Sequence, residues 1–499
     1  MIRTDISGVT ASAHIPQIIT KELGIVRQAD RRKVRLSTNF LPLMGFEAGR
    51  RHSVEVLPNF EGIRLTFDAN GPQQVYQRQY KTRRNNPFET VVEIGAQSIL
   101  DAALPGYTER LHFTMRHGEI LIRPLANRTF MIRRNLGAAA NPFAAMVAMT
   151  SGIDVRCLRD TGFTIEAILE YRPQEARDKR DLTESGMLTV LANSAPRYAF
   201  NEDISTIDWR RVASVMEGAA QIAVAHISLQ CDDFSTVKAA SLKQRALEDL
   251  STSADLVFDA LRMIETINPA VVVLEQVPGF ARSAAGDLFR TKLRKWGYHV
   301  TEQVFCADLY GGKTGRERMY LVASVFPDFE MPQQQGARTV PIWNDIAPFL
   351  HECRDVSHTR ALIDGLQTGR ARLITPMSMR APTILKSQPR QAKDSIYIRA
   401  PDGRYLLPSL DLLRHLNGIP ADFNFQSVSG EQCAEQIGQS IEFPLHEAIC
   451  KAVHEHISAN VGKHTVLSIA RMADNPSMNI QTRVATIKPT ASPQMVLFN

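Results

Sequence analysis

The stretch AVVVLEQVPGF, residues 270–280, begins with five consecutive apolar residues and continues into a glutamate and a Pro-Gly turn. Three similar apolar runs occur in the same part of the chain: FTIEAILE (163–170), AQIAVAHISL (220–229) and RMYLVASV (318–325). Segments with helical periodicity, such as SADLVFDALRMIETI (253–267), lie between them. Short buried strands that alternate with helices predict an α/β fold with a doubly wound, parallel sheet.

The composition is ordinary for a water-soluble protein of 499 residues, with 44% hydrophobic and 22% charged residues. No run approaches the roughly 18 apolar residues of a membrane helix, and the N-terminus lacks the pattern of a secretory signal. The six cysteines are scattered without a C-x-x-C pair, which argues against a zinc site and against a disulfide framework. We therefore expect no metal, no membrane partner and a location in a reducing cytoplasm.

Positive charge is concentrated near the N-terminus. Residues 1–136 contain 20 Lys and Arg against 12 Asp and Glu, a net charge of +8, whereas the whole chain carries +6. This asymmetry favours a polyanionic partner, and nucleic acid before a membrane because no basic amphipathic helix is evident. A solvated basic surface without a partner is the alternative.

The same N-terminal region contains an internal repeat, because residues 34–67 can be aligned with residues 92–124. Val34 matches Val92 at an offset of 58, and later apolar positions match at an offset of 57. Each copy predicts a strand, a short helical turn and a hairpin with alternating apolar residues around a glycine turn.

The first copy carries the segment LSTNFLPLMGFEAG (36–49) followed by its hairpin. This combination resembles the AbrB/SymE-like swapped-hairpin DNA-binding proteins, which pair two copies to form one barrel. The resemblance implies that the two copies form one basic, β-rich DNA-binding domain over residues 1–136. A β-domain that only braces the rest of the chain is the alternative.

The remainder divides by changes in pattern. The small residues of NLGAAANPFAA (135–145) predict a linker, and the polar, Pro- and Thr-bearing end of the chain predicts a flexible tail. The predicted segments are an α/β domain over 137–330, a small region without the strand–helix alternation over 331–429, a helix that returns to the α/β domain over 430–458, and the tail over 459–499.

Four side chains with chemical potential lie at the ends of predicted strands. Cys231 follows the strand within 220–229, and Glu275 ends the strand that begins at Ala270. Arg316 and Arg318 share a face at the start of another strand because they are two residues apart. Each residue alone has a structural explanation, but ligands of open α/β sheets bind beyond the carboxyl ends of the strands. Their joint placement favours a functional site.

This arrangement resembles the DNA cytosine-5 methyltransferases. That family has a Pro-Cys-Gln nucleophile loop, a Glu-Asn-Val motif, a Gln-x-Arg-x-Arg motif, a recognition domain and a closing Gly-Asn segment, in this order. The corresponding segments here are QCDDFS (230–235), EQVPGF (275–280), TGRER (314–318) and QIGQS (436–440).

The resemblance implies a Rossmann-like methyltransferase sheet over 137–330 and a target-recognition region over 331–429. Cys231 would add to C6 of a cytosine flipped out of double-stranded DNA, while Glu275 protonates N3. Arg318, helped by Arg316, would hold the base and stabilise charge on its O2.

The cofactor implied is S-adenosylmethionine. TGFTIEAILEY (161–171) and NEDIST (201–206) resemble its binding motifs in the family. They imply that Glu170 binds the ribose hydroxyls, that Tyr171 lies against the adenine and that Asp203 binds the adenine amino group. The other residues expected at the cofactor are Ser151, Gly152, Ile204 and Ser440.

Several positions depart from the family pattern. The glycine-rich first loop is reduced to MTSGIDVRC (149–157), with a single glycine whose neighbours could crowd the cofactor. Gln230 and Asp232 flank Cys231 in place of Pro and Gln, and Asp232 is expected to raise the pKa of the thiol. A catalytically degenerate relative that binds DNA as a regulatory or protective protein is therefore the second hypothesis, and an RNA target is the third.

The last residues, ASPQMVLFN (491–499), contain a short motif with two large apolar residues. It resembles the peptide that bacterial proteins insert into the sliding clamp of replication, and this predicts a clamp partner and a location at the bacterial nucleoid. The motif residues are Gln494, Met495, Leu497 and Phe498.

Overall fold

The computed structural model describes residues 2–473 except 7–8, 14, 29–30, 83–86, 176–177, 236–237 and 239. These residues form two compact units. The first contains the described residues of 1–133, 286–300 and 323–325, and the second contains those of 134–285, 301–322 and 326–473. Among the described residues, no helix combines the length and the apolar character needed to span a bilayer.

The first unit consists mainly of β-strands, as its alternating apolar residues predict. The strands are β1 (Ile2–Ile6), β2 (Val9–Ala13), β3 (Ile19–Gly24), β4 (Val26–Gln28), β5 (Arg31–Ser37), β6 (Arg51–Leu57), β7 (Gly62–Phe67), β8 (Gln73–Gln74), β9 (Tyr76–Gln79), β10 (Phe88–Ile94), β11 (Arg110–Arg116) and β12 (Glu119–Pro124). The helices are α1 (Phe40–Leu43), α2 (Gln97–Ala103) and a 3-10 turn (Pro58–Phe60).

The predicted internal repeat is confirmed, since β5–α1–β6–β7 and β10–α2–β11–β12 follow the same order. The two copies pair with each other: Val34 lies opposite Ile94 and Leu36 opposite Val92 in the antiparallel pair of β5 and β10. The hairpins pair in the same way through β7 and β12. Strands β5 and β7 of the first copy therefore each pair with their equivalent in the other copy, which gives the unit a pseudo-two-fold arrangement. Apolar residues of both copies share one core.

A close backbone approach explains one hairpin glycine. Gly62 has a φ of 121°, and a Cβ atom at this position would lie 1.9 Å from the Ile122 carbonyl oxygen of β12. A side chain here would push the two hairpins apart.

The predicted linker over 135–145 is wrong at both of its ends. Helix α3 (Arg128–Ala138) covers its beginning, and strand β13 (Ala144–Ala148) covers its end. Ala144 and Ala145 are fully buried. Small residues are typical of linkers, but alanine is also a strong helix former and fits a tightly packed central strand.

The second unit contains the predicted parallel sheet. Its strands are β13, β14 (Thr164–Leu169), β15 (Tyr198–Phe200), β16 (Val224–Ser228), β17 (Val271–Gln276), β18 (His299–Cys306) and β19 (Glu317–Ser324). The intervening helices are α4 (Ile153–Asp160), α5 (Ser185–Asn193), α6 (Trp209–Val215), α7 (Ala240–Glu248) and α8 (Leu256–Ile267), with 3-10 turns at Pro278–Arg282 and Ala307–Tyr310. Helix α9 (Ala284–Lys295) comes between β17 and β18 in sequence, and its residues from 286 onward belong to the first unit.

Among the described residues the strand order is β15-β14-β13-β16-β17-β19-β18. Strands β13 to β17 pair in parallel, which confirms the doubly wound α/β class. The chain runs outward from β13 through β14 and β15, then returns to β16 on the other side of β13. A crevice opens at the carboxyl ends of the strands where the order reverses in this way. The loop that follows β13 and Cys231, which follows β16, both lie there.

The region after β19 has a small sheet of its own, with strand order β20-β23-β22-β21. Its strands are β20 (Arg354–Asp355), β21 (Arg372–Ile374), β22 (Ile396–Arg399) and β23 (Tyr405–Leu407). The helices are α10 (Trp343–Ile346), α11 (Arg360–Gln367) and α12 (Leu410–Leu416), with 3-10 turns at Ala347–Glu352 and Gln388–Arg390. A separate small core of Val356, Leu362 and Tyr397 supports this region.

The C-terminal predictions need two corrections. The single helix predicted over 430–458 is two helices, α13 (Gly430–Gln439) and α14 (Phe443–Ala473). Helix α14 also continues through 459–473, where a flexible tail was predicted. Helix-forming Ala, Leu and Arg extend it, and the first proline after it is Pro476. The predicted clamp motif (Gln494, Met495, Leu497 and Phe498) lies outside the described residues and stays a prediction.

Candidate active site

A cavity of about 1040 Å³ lies at the carboxyl ends of the parallel strands. Its lining includes all four predicted catalytic residues and four of the seven predicted cofactor residues. These eight are Cys231, Glu275, Arg316, Arg318, Ser151, Glu170, Tyr171 and Ser440. Residues that are up to 289 positions apart in sequence therefore surround one space of the size that small-molecule ligands occupy.

Cys231 lies three residues beyond β16, in a tight turn. Its carbonyl oxygen accepts hydrogen bonds from the Phe234 and Ser235 N–H groups at 3.0 and 2.9 Å. The side chain is half-buried and faces the cavity. The turn holds the thiol where a ligand can reach it.

Burial is the largest cause that raises the pKa of the Cys231 thiol above its ordinary value. The Arg318 guanidinium opposes this shift, while the Glu275 and Asp232 carboxylates add to it. The expected effect of Asp232 is therefore confirmed in direction, but it is smaller than that of burial. Among the neighbouring charges, that of Arg318 most favours the thiolate form of Cys231.

Glu275 and Arg318 form an ion pair inside the cavity. Arg318 Nε lies 2.6 Å from Glu275 Oε1, and both side chains are nearly buried. Glu275 is the second-last residue of the buried strand β17, and Arg318 is the second residue of β19, which is the neighbouring strand in the sheet. The Glu275 carboxyl group, the Arg318 guanidinium and the Cys231 thiol therefore line the same cavity.

Arg316 is buried and holds the cavity wall. Its Nη1 donates to the carbonyl oxygens of Ile384 and Gly438, both at 3.2 Å, and its Nη2 donates to that of Gln439 at 3.3 Å. Burial, and after it the charge of Arg318, lowers the pKa of Arg316 to about 9. Its guanidinium is held by the segments at residues 384 and 438–439. Arg316 therefore affects Arg318 only through its fixed position and its positive charge.

Gln276 stands where the family motif has the shorter asparagine. The structure gives its side chain a role that the sequence did not reveal. Its Nε2 donates to the Leu229 carbonyl at 2.8 Å, and its Oε1 accepts from the Val277 N–H at 2.7 Å. The amide thus ties the end of β17 to the start of the Cys231 loop. Gly279 adds a close approach, because a Cβ there would lie 2.2 Å from the Phe234 carbonyl oxygen.

Asp233 anchors the far side of the same loop. Its carboxylate accepts hydrogen bonds from Lys238 at 2.6 Å, from the Ser253 N–H at 2.6 Å and from the Thr252 hydroxyl at 2.9 Å. Partial burial opposes ionisation, but these donors outweigh it and lower the pKa of Asp233 to about 2. This carboxylate therefore stays ionised and structural.

Glu170 closes the loop that follows β13. Its Oε2 accepts from the Thr150 N–H at 2.7 Å and from the Ser151 N–H at 3.0 Å. Burial raises the pKa of Glu170, although these two hydrogen bonds oppose the shift. Gly186 is required beside it, since a Cβ there would lie 2.3 Å from Glu170 Oε1.

The reduced glycine loop keeps a glycine-like backbone. Met149, Ser151 and Gly152 have φ values of 63°, 54° and 95°. Gly152 does not line the cavity; a Cβ on it would lie 3.1 Å from Val190 Cα. Met149 and Ser151 adopt a left-handed conformation that costs residues with a side chain roughly 1–2 kcal/mol. The loop thus adopts left-handed backbone at two positions that are not glycine, and its side chains leave the cavity open.

This strain predicts that Ser151→Gly is more stable than Ser151→Ala, by about 1 kcal/mol. Both variants remove the hydroxyl, but only glycine adopts a φ of 54° without a steric cost. Chemical denaturation of the two variants side by side measures the difference. Equal stability would mean that the loop relaxes to another conformation.

Two of the other predicted cofactor residues line a second cavity, and Ser440 belongs to the wall of the main one. Asp203 and Ile204 line a smaller cavity of about 80 Å³, which shares Tyr171 with the main one. One oxygen of Asp203 already accepts from the Ser205 N–H and hydroxyl at 2.9 and 2.7 Å. Ser440 is buried, donates to the Ile437 carbonyl at 2.9 Å and accepts from the Asn417 side chain, so it holds the wall.

Glu442 is a buried carboxyl group that the sequence reading missed. It accepts from the Lys313 N–H at 2.9 Å and the Thr314 N–H at 3.3 Å, just before the two cavity arginines. A Cβ on Gly312 would lie 2.2 Å from its oxygens. Burial raises the pKa of Glu442 to about 7, although these hydrogen bonds oppose the shift. The signal available in the sequence was an acidic residue two positions after the QIGQS segment (436–440).

The raised pKa of Glu442 predicts a pH-dependent stability. The folded state favours its protonated form, so this contribution is complete below the ordinary pKa of 4.5 and is lost as the pH rises through about 7. The loss amounts to about 3 kcal/mol. We expect Glu442→Gln, which cannot ionise, to lose less stability than the wild type between pH 5 and pH 8.

Thermal unfolding at both pH values measures this difference. Glu447→Gln, on helix α14 just after Glu442, is the control, because Glu447 is partly exposed and pairs with Lys451 at 3.2 Å. Parallel pH profiles for the wild type and Glu442→Gln would show that Glu442 does not titrate as proposed.

Parts of the chain are similar to known proteins. A family model for the C-5 cytosine-specific DNA methylases matches residues 201–348. The type II methyltransferase M.BsuFI of Bacillus subtilis is 27% identical over 217 residues, which cover 41% of this chain and 52% of that protein. The chain thus spans about half the length of this curated relative.

Two solved structures are also similar to this chain. The Entamoeba histolytica methyltransferase EhMeth has 14% identity and a TM-score of 0.48, and the match covers 63% of this chain and 98% of that chain. The S. pombe Dnmt2 methyltransferase has 16% identity and a TM-score of 0.47, with the same coverage.

The match to the family model contains the strand ends that carry Cys231, Glu275 and Arg318. Residues 201–348, which include Cys231, Glu275 and Arg318, are therefore similar to the cytosine-5 methyltransferase family.

Proposed function

We propose that the protein methylates C5 of cytosine in double-stranded DNA, with Cys231 as a covalent nucleophile and S-adenosylmethionine as the methyl donor. The observation that carries the proposal is the convergence of Cys231, Glu275 and Arg318 at one cavity, with the 2.6 Å ion pair beside the thiol. A base inside a duplex cannot reach this cavity, so the target has to be flipped out.

The three residues divide the chemistry of the base between them. The Cys231 thiolate forms a bond to C6, and Glu275 as a carboxylic acid gives its proton to N3. The ring becomes an enamine whose C5 is nucleophilic. After C5 has accepted the methyl group, water in the cavity takes the C5 proton and the C6–S bond breaks, which expels the Cys231 thiolate. N3 returns its proton to Glu275, and the aromatic base is restored. Arg318 faces the base and offers donors to the O2 charge.

The residues around the cavity fit S-adenosylmethionine, which supplies an electrophilic methyl group when bound. Glu170 presents an acidic group to the cavity, and Tyr171 extends the lining toward Asp203 and Ile204. Ser151 and its neighbours leave about 1040 Å³ open. These contacts support Glu170 as the ribose ligand and Asp203 as the adenine ligand.

The degenerate relative that binds DNA without methyl transfer is the second candidate. Two observations favour it: the raised pKa of the Cys231 thiol, and the ion pair that holds Glu275 to Arg318 before any base is present. In this case the cavity would bind its ligands without turnover.

Expression in a bacterial host that lacks cytosine-5 methylation tests the proposal without knowledge of the target site. Bisulfite sequencing should reveal one methylated sequence motif in the genome of expressing cells. Parallel sequencing of RNA tests the third hypothesis. Methylated cytosine in RNA alone would redirect the proposal to RNA, and its absence from both would favour the DNA-binding relative.

We also propose that the N-terminal unit binds duplex phosphates. Arg31 on β5 and Arg78 on β9 lie in the four-stranded sheet β4-β5-β10-β9 and are exposed. Neither forms an ion pair with an acidic residue in the described part of the chain. Lys33 and Arg35 share the face of Arg31 but pair with Glu93 at 2.7 and 2.6 Å. Arg31 has no acidic partner among the described residues, and Arg78 lies over the Tyr80 ring at 5.1 Å, so both guanidinium groups remain available to DNA.

We expect the double variant Arg31→Gln/Arg78→Gln to bind DNA more weakly and with a flatter salt dependence. Each lost phosphate contact lowers the slope of log K against log salt by about 0.9. Arg64→Gln is the matched control, because Arg64 already pairs with Glu55 and Glu119 at 3.0 and 3.2 Å. A salt slope equal to that of the wild type would assign this unit a structural role.

A further inference from the structure

Three ionisable side chains meet in the interior of the second unit, below the main cavity. Asp154 comes from α4, His226 from β16 and His446 from α14. All three are buried, with at most 1% of each residue exposed. One ligand atom from each lies within 4.8 Å of the other two.

The cluster is short of hydrogen-bond partners. Both ring nitrogens of His226 and the Nε2 of His446 are buried and have no hydrogen-bond partner among the described residues. His226 Nδ1 lies 3.5 Å from Asp154 Oδ2, which is too far for a good hydrogen bond. Buried polar atoms are nearly always satisfied in native proteins, so three orphaned nitrogens facing a carboxylate indicate a missing ligand.

Neighbouring groups hold the cluster in orientation. The Tyr320 hydroxyl lies 3.0 Å from His446 Nδ1, which leaves Nε2 of that ring for another ligand. The Ser228 hydroxyl donates to Asp154 Oδ2 at 3.3 Å. Histidines that bind metals have their second nitrogen oriented in this manner, and ligating carboxylates are hydrogen-bonded in turn.

We propose that Asp154, His226 and His446 bind one divalent transition-metal ion of the zinc class. Two imidazoles and a carboxylate are a donor set that Zn²⁺ accepts, and the 3.5 Å between His226 Nδ1 and Asp154 Oδ2 is close to the roughly 3.4 Å between ligands of a tetrahedral site. His446 Nε2 would move inward on binding. Asp154 and Ser228 also border the main cavity, which provides an entry path and an open fourth position.

The ion would join three elements that shape the active site. Asp154 lies just after the strained loop 149–152, and His226 lies five residues before Cys231. His446 lies on helix α14, four residues after Glu442. Metal binding here does not require methyl transfer, and the three ligands include no cysteine, so cysteine spacing could not reveal the site.

The test uses the full chain, stripped with a chelator and titrated with Co²⁺ and Zn²⁺. We expect one equivalent of Co²⁺ to bind with visible d–d absorption, and X-ray absorption at the zinc edge to show two imidazoles and no sulfur. His446→Gln should lose this equivalent. His52→Gln should keep it, because His52 is also buried with two unpartnered nitrogens but belongs to the first unit.

Absence of metal binding by the wild type would overturn the proposal and leave the cluster as a polar network. Equal binding by His446→Gln would overturn it as well, since the ion would then lie elsewhere. The X-ray absorption spectrum of the wild type decides the ligand set even if His446→Gln does not fold. A spectrum with sulfur ligands or without imidazole contradicts the proposal.

Discussion

Replacement of Cys231 by serine is expected to lower methyl transfer to below about one thousandth of the wild-type rate, while DNA affinity changes little. A serine hydroxyl ionises far less readily than a thiol and is a poorer nucleophile toward C6. Cys231 contributes a half-buried wall of the cavity, and its loop is held by Gln276 and Asp233. The exchange of sulfur for oxygen leaves these contacts in place.

The measurement is methyl incorporation from labelled S-adenosylmethionine into DNA that carries the motif found by bisulfite sequencing, together with the affinity for the same DNA. Cys353→Ser is the control, since Cys353 is also half-buried but does not line the cavity. Methyl transfer by Cys231→Ser at the wild-type rate would exclude covalent catalysis by this residue.

Glu275→Gln is expected to reduce methyl transfer by about 10²- to 10⁴-fold, the usual contribution of a positioned general acid. The same variant should react faster with iodoacetamide at Cys231. Glu275 is one of the charges that raise the pKa of that thiol, and its removal also frees Arg318 to lower it. A damaged active site would lose both methyl transfer and the reactivity of the thiol. Loss of the acid alone would lower methyl transfer and raise the rate of alkylation.

Alkylation is followed at the peptide that contains Cys231 by mass spectrometry, at a pH below the pKa of the thiol. Glu265→Gln on the exposed side of α8 controls for the loss of one negative charge. Methyl transfer that survives in Glu275→Gln would remove Glu275 from the role of acid.

Local patterns were sufficient for much of the fold. The parallel sheet follows from apolar runs that are long enough for buried strands and are separated by helical segments. The repeat follows from matched apolar positions, and its pairing of Leu36 with Val92 is what two equivalent strands require in an antiparallel pair. Strand ends could be located, so the convergence of Cys231, Glu275 and Arg318 could be predicted.

Contacts between distant segments could not be predicted. Arg316 donates to carbonyl oxygens of residues 384, 438 and 439, and Glu442 accepts from N–H groups of residues 313 and 314. These backbone partners leave no recognisable pattern in the sequence, because a residue of almost any type has a backbone carbonyl and N–H group. The small residues of 135–145 misled for a related reason, since alanine suits a linker, a helix and a buried strand equally.

A covalent trap tests the central claim most directly. DNA that carries 5-fluorocytosine at the target position accepts the Cys231 adduct and the methyl group, but the fluorine cannot leave as a proton does, so the thiolate is not expelled. With S-adenosylmethionine present, the wild type should form a denaturation-resistant complex whose DNA remains attached to the peptide containing Cys231. Methylation of the unsubstituted DNA without any such complex would contradict the account.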